Sequence, residues 1–175
     1  GKYTLLKAGV VVDDNGAFRI NVGSFSGAIR LEIRSQGDAP DYTDEATGQQ
    51  VNLTTSLCAL AVVSGSRAAI TVNLTPLTHL AYLANTNPSV DNIDKINQAV
   101  GKAFGVDDLL ATKVIATTND QFTTGASTSG KAYGAVLAAL SGLDTQTHST
   151  QITLETIAKN LSVSTDSSTA TLNEV

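Results

Sequence analysis

Residues 73–84 read NLTPLTHLAYLA, and the reading of this stretch decides the fold. Thr75-Pro76 is a helix start: a hydroxyl at the N-cap, then proline at the first helical position, where its missing N–H costs no hydrogen bond. Leu77, Leu80, Ala81 and Ala84 follow at helical spacing. Upstream of Thr75 the apolar residues recur at every second position; downstream they recur at every third or fourth. Strands first and helices second predict an α+β fold with segregated layers rather than alternating βαβ units. The expected division is a β part over 1–74, a helical part packed on it over 75–161, and a polar tail over 162–175.

The β part builds up from three period-two segments. The run TLLKAGVVVDD (4–14) is apolar and β-branched and leads into Asn15-Gly16, a strong hairpin signal because both residues tolerate positive φ. In the return strand AFRINV, Phe18, Ile20 and Val22 share one face, with Arg19 and Asn21 on the other. After a turn at 23–27, Ile29, Leu31 and Ile33 point in while Arg30, Glu32 and Arg34 point out. These describe an antiparallel sheet with one wet face. An acidic loop follows at 36–50, then VNLTTSLCALAVV (51–63) and RAAITVNL (67–74), both read as strands, the first buried on both faces.

Beyond the first helix, which ends at 85–88, Ser89 caps a second with the stripe Ile93, Ile96, Val100 and Phe104, closed by Gly105 as a left-handed cap. Residues 113–118 read as extended. Tyr133, Val136, Leu137 and Leu140 mark a third helix ending near Gly142; Leu154, Ile157, Ala158 and Leu161 mark a fourth. The tail SVSTDSSTATLNEV reads as an unstructured end or an edge strand.

Composition narrows the function classes. Charged residues are 15% of the 175, well under the usual quarter, so the surface is polar by hydroxyl and amide. A net charge of −5 without a Lys/Arg cluster disfavours nucleic acid and membrane surfaces as partners. The single cysteine, Cys58, closes no internal disulfide and, in the apolar run SLCALAVV, reads as a small core residue. Gly1 in place of an initiator Met fits a processed or excised chain, and a cleaved export signal would leave this same picture.

Candidate chemistry is sparse. GASTSGKA (125–132) is one letter from the phosphate-binding pattern G-x-x-x-x-G-K-[ST], with Ala132 where the magnesium-holding hydroxyl belongs and no strand directly before it. A small-residue linker capping the third helix accounts for it, and Gly130 with Gly134 would let that helix approach a neighbour closely. His79 lacks a ligand partner at helical spacing and reads as a helix-flank residue; His148 sits in a hydroxyl-rich loop. Asp38, Asp41, Asp44 and Glu45 gather in one loop, either solvated or calcium-binding. Asn52, Asn73 and Asn160 each open an N-L-[ST] acceptor pattern. A Lys–Asn isopeptide crosslink would suit Lys7 or Asn21 with Glu32 as the acid, though nothing in the sequence selects it. No convergent acid, base and nucleophile set is visible, so no catalytic, cofactor-binding or metal residue is assigned, no cofactor is expected, and the expectation is a non-enzyme.

Taken in order, DDNGAF, GAIRLEI, YTDEATG, NLTPLTHLAYLA, AFGVDDLLAT and AYGAVLAALS resemble a module of large secreted and surface proteins of Gram-negative bacteria. There an immunoglobulin-like β-sandwich of the carboxypeptidase regulatory type precedes a small helical part. The resemblance spans roughly residues 10–143 and implies a sandwich packed with about four helices. It implies a non-enzymatic role in cell-surface architecture or adhesion, outside the cell. This chain has only a short run before its DDNG turn, where the family has one or two more strands. Either the segment lacks a strand of the domain or a neighbouring chain supplies it. The second alternative implies a structural subunit, a filament or pilus-like assembly of identical copies joined by strand donation from KYTLLKAGVVV or from the tail. An adhesin module binding a glycan is the other reading.

Overall fold

The longest β ladder pairs β1 (Gly27–Ile33) with β4 (Leu57–Val63), antiparallel, in a register that sets Gly27 opposite Val63 and Ile33 opposite Leu57. The computed structural model describes residues 3–8, 13, 16–35, 37–44, 46–65, 69–125 and 127–173. Asp14 and Asn15 of the predicted hairpin, Gln36 and Glu45 of the acidic loop, Ala126 of the GASTSG loop, residues 1, 2 and 9–12 of the N-terminal run, residues 66–68 and the last two of the tail lie outside them. Among the described residues there are two further ladders, the two-residue ribbon β2 (Tyr42–Thr43) with β3 (Gln50–Val51) and the hairpin β5 (Leu161–Ser164) with β6 (Thr169–Leu172). Four α-helices stand between them: α1 (Pro76–Ala84), α2 (Val90–Ala103), α3 (Thr128–Thr147) and α4 (Thr150–Asn160). The fold is α+β, with small antiparallel sheets and no closed barrel.

The caps follow the sequence. Thr75 and Thr78 form a reciprocal capping box, with Pro76 at the first helical position. Ser89 caps α2, and Gly105, at φ 70°, closes it: Val106 N–H returns to Gly101 O at 2.8 Å and Gly105 N–H to Lys102 O at 3.2 Å. Ser127 caps α3 through its hydroxyl, 3.0 Å from Gly130 N–H. β4 is buried on both faces as its unbroken apolar run predicts, and Cys58 is a free, buried thiol. Ile29, Leu31 and Ile33 of β1 are half-buried, with Ala28, Arg30 and Arg34 exposed.

Several expectations are corrected: residues 4–8 of the run 4–14 form no strand, and 51–63 is not one strand, since Val51 pairs with Tyr42 and β4 begins only at Leu57. Residues 69–74 join no ladder, because Asn73 spends its N–H on Leu110 O (2.8 Å) and its side-chain amide on Thr112 O (2.8 Å). Residues 17–22 alternate in burial with Phe18, Ile20 and Val22 inward, yet form no strand; Asp13 closes the turn through Ala17 instead. α3 continues past Gly142 to Thr147, where His148 adopts the left-handed conformation as C-cap. Helix packing on both sides of Gly142 outweighs the roughly 1 kcal/mol that an interior glycine costs. Leu161 opens β5 rather than extending α4, and the tail is a hairpin whose two strands pair within this chain.

α1 packs on β4, α4 on α1 and α3, and the β5–β6 hairpin on α2. One apolar cluster joins Leu57 to Leu77, Leu80, Val100, Leu137, Leu154 and Leu161 and so crosses the expected boundary at residue 74.

Candidate functional site

An open cleft of about 580 Å3 lies between the end of β4, α2 and the 107–111 turn. Its position follows from how the outer edge of β4 is covered. In an antiparallel ladder alternate residues turn both backbone groups toward the partner or away from it. Cys58 N–H points away from β1, since it donates to His79 Nδ1 of α1 at 2.9 Å. Leu60 O also points away and accepts from Asn97 Nδ2 of α2 at 3.0 Å. By the same alternation the N–H and C=O of Val62 face outward, and no side chain among the described residues covers them. Val62 is where the cleft begins.

The far rim is held by a buried polar node. Tyr133 in α3 is fully buried; its hydroxyl donates to Leu109 O at 3.1 Å and meets Thr75 Oγ1 at 2.8 Å. Burial pushes this phenol up to about 12, against the pull of the Thr75 and Asn73 hydrogen bonds. Asp108 Oδ1 accepts from the N–H groups of Leu110 and Ala111, both at 2.9 Å, which tightens the turn. Ser129, in the first turn of α3, accepts from Asp107 N–H at 2.9 Å. Among the described residues the rim carries three carboxylates, Asp94, Asp107 and Asp108, against one ammonium, Lys102. Asn97 is 8% exposed, lines the cleft, and its Oδ1 accepts no hydrogen bond among the described residues.

The GASTSGKA stretch does not form a phosphate cradle. A Cβ on Gly130 would lie 2.7 Å from Lys113 O, and one on Gly134 only 1.8 Å from Ile115 O. Residues 113–116 therefore lie directly on α3, with Ile115 N–H donating to Gly130 O at 3.1 Å. The two glycines serve close packing, and the Gly130 N–H is already taken by Ser127 Oγ.

The other candidate residues do not converge. In the acidic loop Asp44 accepts from Thr47 N–H and Oγ1, both at 2.7 Å, from Ala46 N–H at 3.1 Å, and from the hydroxyl of Ser141 in α3. Burial alone would raise its pKa, but these hydrogen bonds outweigh burial and hold the carboxyl below its usual range. Asp41 Oδ2 accepts from Leu53 N–H at 2.8 Å. Among the described residues no group of three or more His, Cys, Asp or Glu is placed to hold a metal ion. Glu32 is flanked by Arg30 (3.2 Å) and Arg34 (2.8 Å), and Asn21 Oδ1 caps Gly23 N–H. Of the N-L-[ST] asparagines, Asn73 and Asn160 are spent on backbone carbonyls and Asn52 is exposed. His79 is half-buried and deprotonates more readily than a free imidazole, chiefly through burial, with Glu155 pulling the other way. His148 is exposed at the end of α3.

Sequence reasoning missed Asn97 and the hydroxyl role of Tyr133. Asn97 had a signal: four residues after Ile93 and three before Val100, it sits on the buried stripe of α2. The 107–111 turn had none, since its position depends on the node around Tyr133. Among the described residues no helix is long and apolar enough to cross a membrane. No family model, no curated protein and no solved structure matches this chain.

Proposed function

We propose that this chain is a non-enzymatic structural subunit of a bacterial cell-surface or extracellular assembly, in which copies join by adding a strand to one another. The immunoglobulin-like sandwich belongs to this reading, with β1–β4 as the ladder that an added strand extends. One observation carries it: among the described residues the longest ladder is two-stranded, and the outer edge of β4 is covered only as far as Leu60. Such edges associate unless they are covered. The apolar N-terminal segment supports it as well, with Leu5 78% exposed and Tyr3 and Leu6 about half exposed. The tail, already paired within its own chain, is the poorer donor. The low charge and hydroxyl-rich surface fit an extracellular location.

Light scattering on the purified chain tests this, beside electron microscopy of material made by the source organism. A mass that climbs with concentration above the 18.0 kDa monomer, and fibres with a constant repeat, are expected. An 18.0 kDa species at every concentration, without fibres, refutes it. The second reading, an adhesin module binding a glycan, has the cleft in its favour, since Asn97, Gln98 and Asp94 offer hydrogen bonds there. Saturable binding on a glycan array is its test.

A further inference from the structure

We propose that the cleft at the open end of β4 is the acceptor site for residues 2–7 of a second copy, taken up as an added strand. This rests on the assembly reading above and assigns its two surfaces.

The two outer edges of the β1–β4 ladder are guarded differently. On β1 the side chains of Arg30 and Arg34 flank Glu32, a net positive strip. Charges of this kind are a common defence of an edge strand. On β4 two side chains stand where a neighbouring strand would pair: His79 Nδ1 takes the N–H of Cys58, and Asn97 Nδ2 serves the carbonyl of Leu60. The guard stops there. Val62, two residues on, turns its N–H and C=O into the cleft, beside the unpartnered Oδ1 of Asn97. An extended peptide arriving at Val62 meets main-chain groups to pair with, as strand addition needs, and one further acceptor beside them.

Charge selects the occupant. Among the described residues the rim holds Asp94, Asp107 and Asp108 against Lys102, so it favours a cationic segment. The chain as a whole is acidic, at −5, but residues 1–8, GKYTLLKA, carry two lysines and no carboxylate. In a strand, Lys2, Thr4 and Leu6 fall on one face and Tyr3, Leu5 and Lys7 on the other. Either face presents one lysine for the rim and one leucine for the apolar floor formed by Ala61, Val62 and Leu109. The cleft is open and its volume, 580 Å3, is that of a small-molecule site, roughly 300–1,000 Å3, so it takes part of the segment rather than all of it. In its own chain Tyr3 lies under Arg30, 4.3 Å from the guanidinium carbon, while Leu5 and Leu6 stay exposed. Donation releases that contact and turns one of the two leucines onto the apolar floor.

The experiment is fluorescence anisotropy of a labelled GKYTLLKA peptide titrated with the full-length chain, beside the light-scattering mass of the same samples. Saturable binding is expected, at least tenfold weaker in the Asp94→Asn/Asp107→Asn double variant and weaker at high salt, with the variant's circular dichroism unchanged. The peptide with both lysines replaced by glutamate is expected not to bind. Absence of binding up to millimolar chain overturns the assignment, as does equal binding by the double variant or by a scrambled peptide of the same composition. A glycan that occupies the cleft and is not displaced by the peptide overturns it as well. A wild-type chain that associates, with a mass unchanged in the double variant, overturns the cleft and leaves the assembly reading standing. A wild-type chain that stays monomeric overturns that reading itself.

Discussion

Replacing Tyr133 with phenylalanine isolates the node on which the cleft rim rests. The ring keeps its packing, and only the hydroxyl leaves. Leu109 O then retains only a 3.5 Å approach from Asn73 Nδ2, and Thr75 Oγ1 loses its 2.8 Å partner. Orphaning buried groups of this kind costs roughly 1–3 kcal/mol. With a urea slope of about 1–3 kcal/mol/M, the midpoint falls by about 1 M. A second readout comes from alkaline pH. The folded phenol is pushed up to about 12 from an ordinary 10.0, so its contribution is complete below pH 10 and is lost as the pH rises through 12. At pH 11 about 1.4 kcal/mol of it is gone, by the free energy of one pKa unit. Phenylalanine has nothing to ionise, so the deficit of Tyr133→Phe narrows by that amount between pH 8 and pH 11. Urea titrations of both proteins at the two pH values measure it, and the remaining tyrosines and lysines cancel in the difference. A midpoint unchanged at pH 8, or a deficit that stays constant up to pH 11, refutes the node.

Gly134→Ala sets a Cβ 1.8 Å from Ile115 O and should cost about 3 kcal/mol or more, whereas Gly142→Ala, with nothing within 4 Å, should gain about 0.5–1 kcal/mol; equal urea midpoints would undo the close-packing reading. Asp44 has a lowered folded pKa, so its contribution is present above its ordinary 3.8 and lost as the pH falls through the folded value. Ser141→Ala, which removes one of its donors, should flatten the acid limb of the stability curve, and an unaltered limb would show the contact to be idle. His79 accepts at Nδ1, so nitrogen NMR of the ring should find the proton on Nε2. Its folded pKa is depressed, so stability should decline as the pH falls past 6.5 toward the folded value, and less so in His79→Ala. A ring protonated at Nδ1 contradicts the edge cap.

Local signals were legible and long-range ones were not. The caps at Thr75, Ser89 and Gly105 each depend on one or two neighbours in the chain, and each was readable from residue type. So was the close approach at Gly130 and Gly134, because only small residues let backbone come that near. The 69–74 segment has every property of a strand but finds a turn to bond to instead, at Leu110 and Thr112, nearly forty residues away. The extent of α3 misled for a related reason: Gly142 looks like a stop, and tertiary packing carries the helix through it. The acidic loop looked like a ligand set because spacing alone cannot distinguish a carboxylate that binds a cation from one that closes its own turn, as Asp44 does. The cleft was invisible, since it exists only where β4, α2 and the 107–111 turn meet.

The edge of β4 ties the fold to its proposed use. Covering a strand edge with side chains differs from covering it with another strand. A strand satisfies every outward group in turn, while a helix packed across the edge reaches only the groups that fall beneath its own residues. α1 supplies His79 and α2 supplies Asn97, and these two serve positions 58 and 60. The ladder continues to Val63, so the protection runs out before the strand does. That shortfall opens into the space between α2 and the 107–111 turn. A domain closed everywhere along this edge would gain stability, because Val62 would acquire partners. Leaving it open beside three carboxylates, in a chain whose basic apolar segment stays exposed, is the arrangement expected when the missing partners come from another copy.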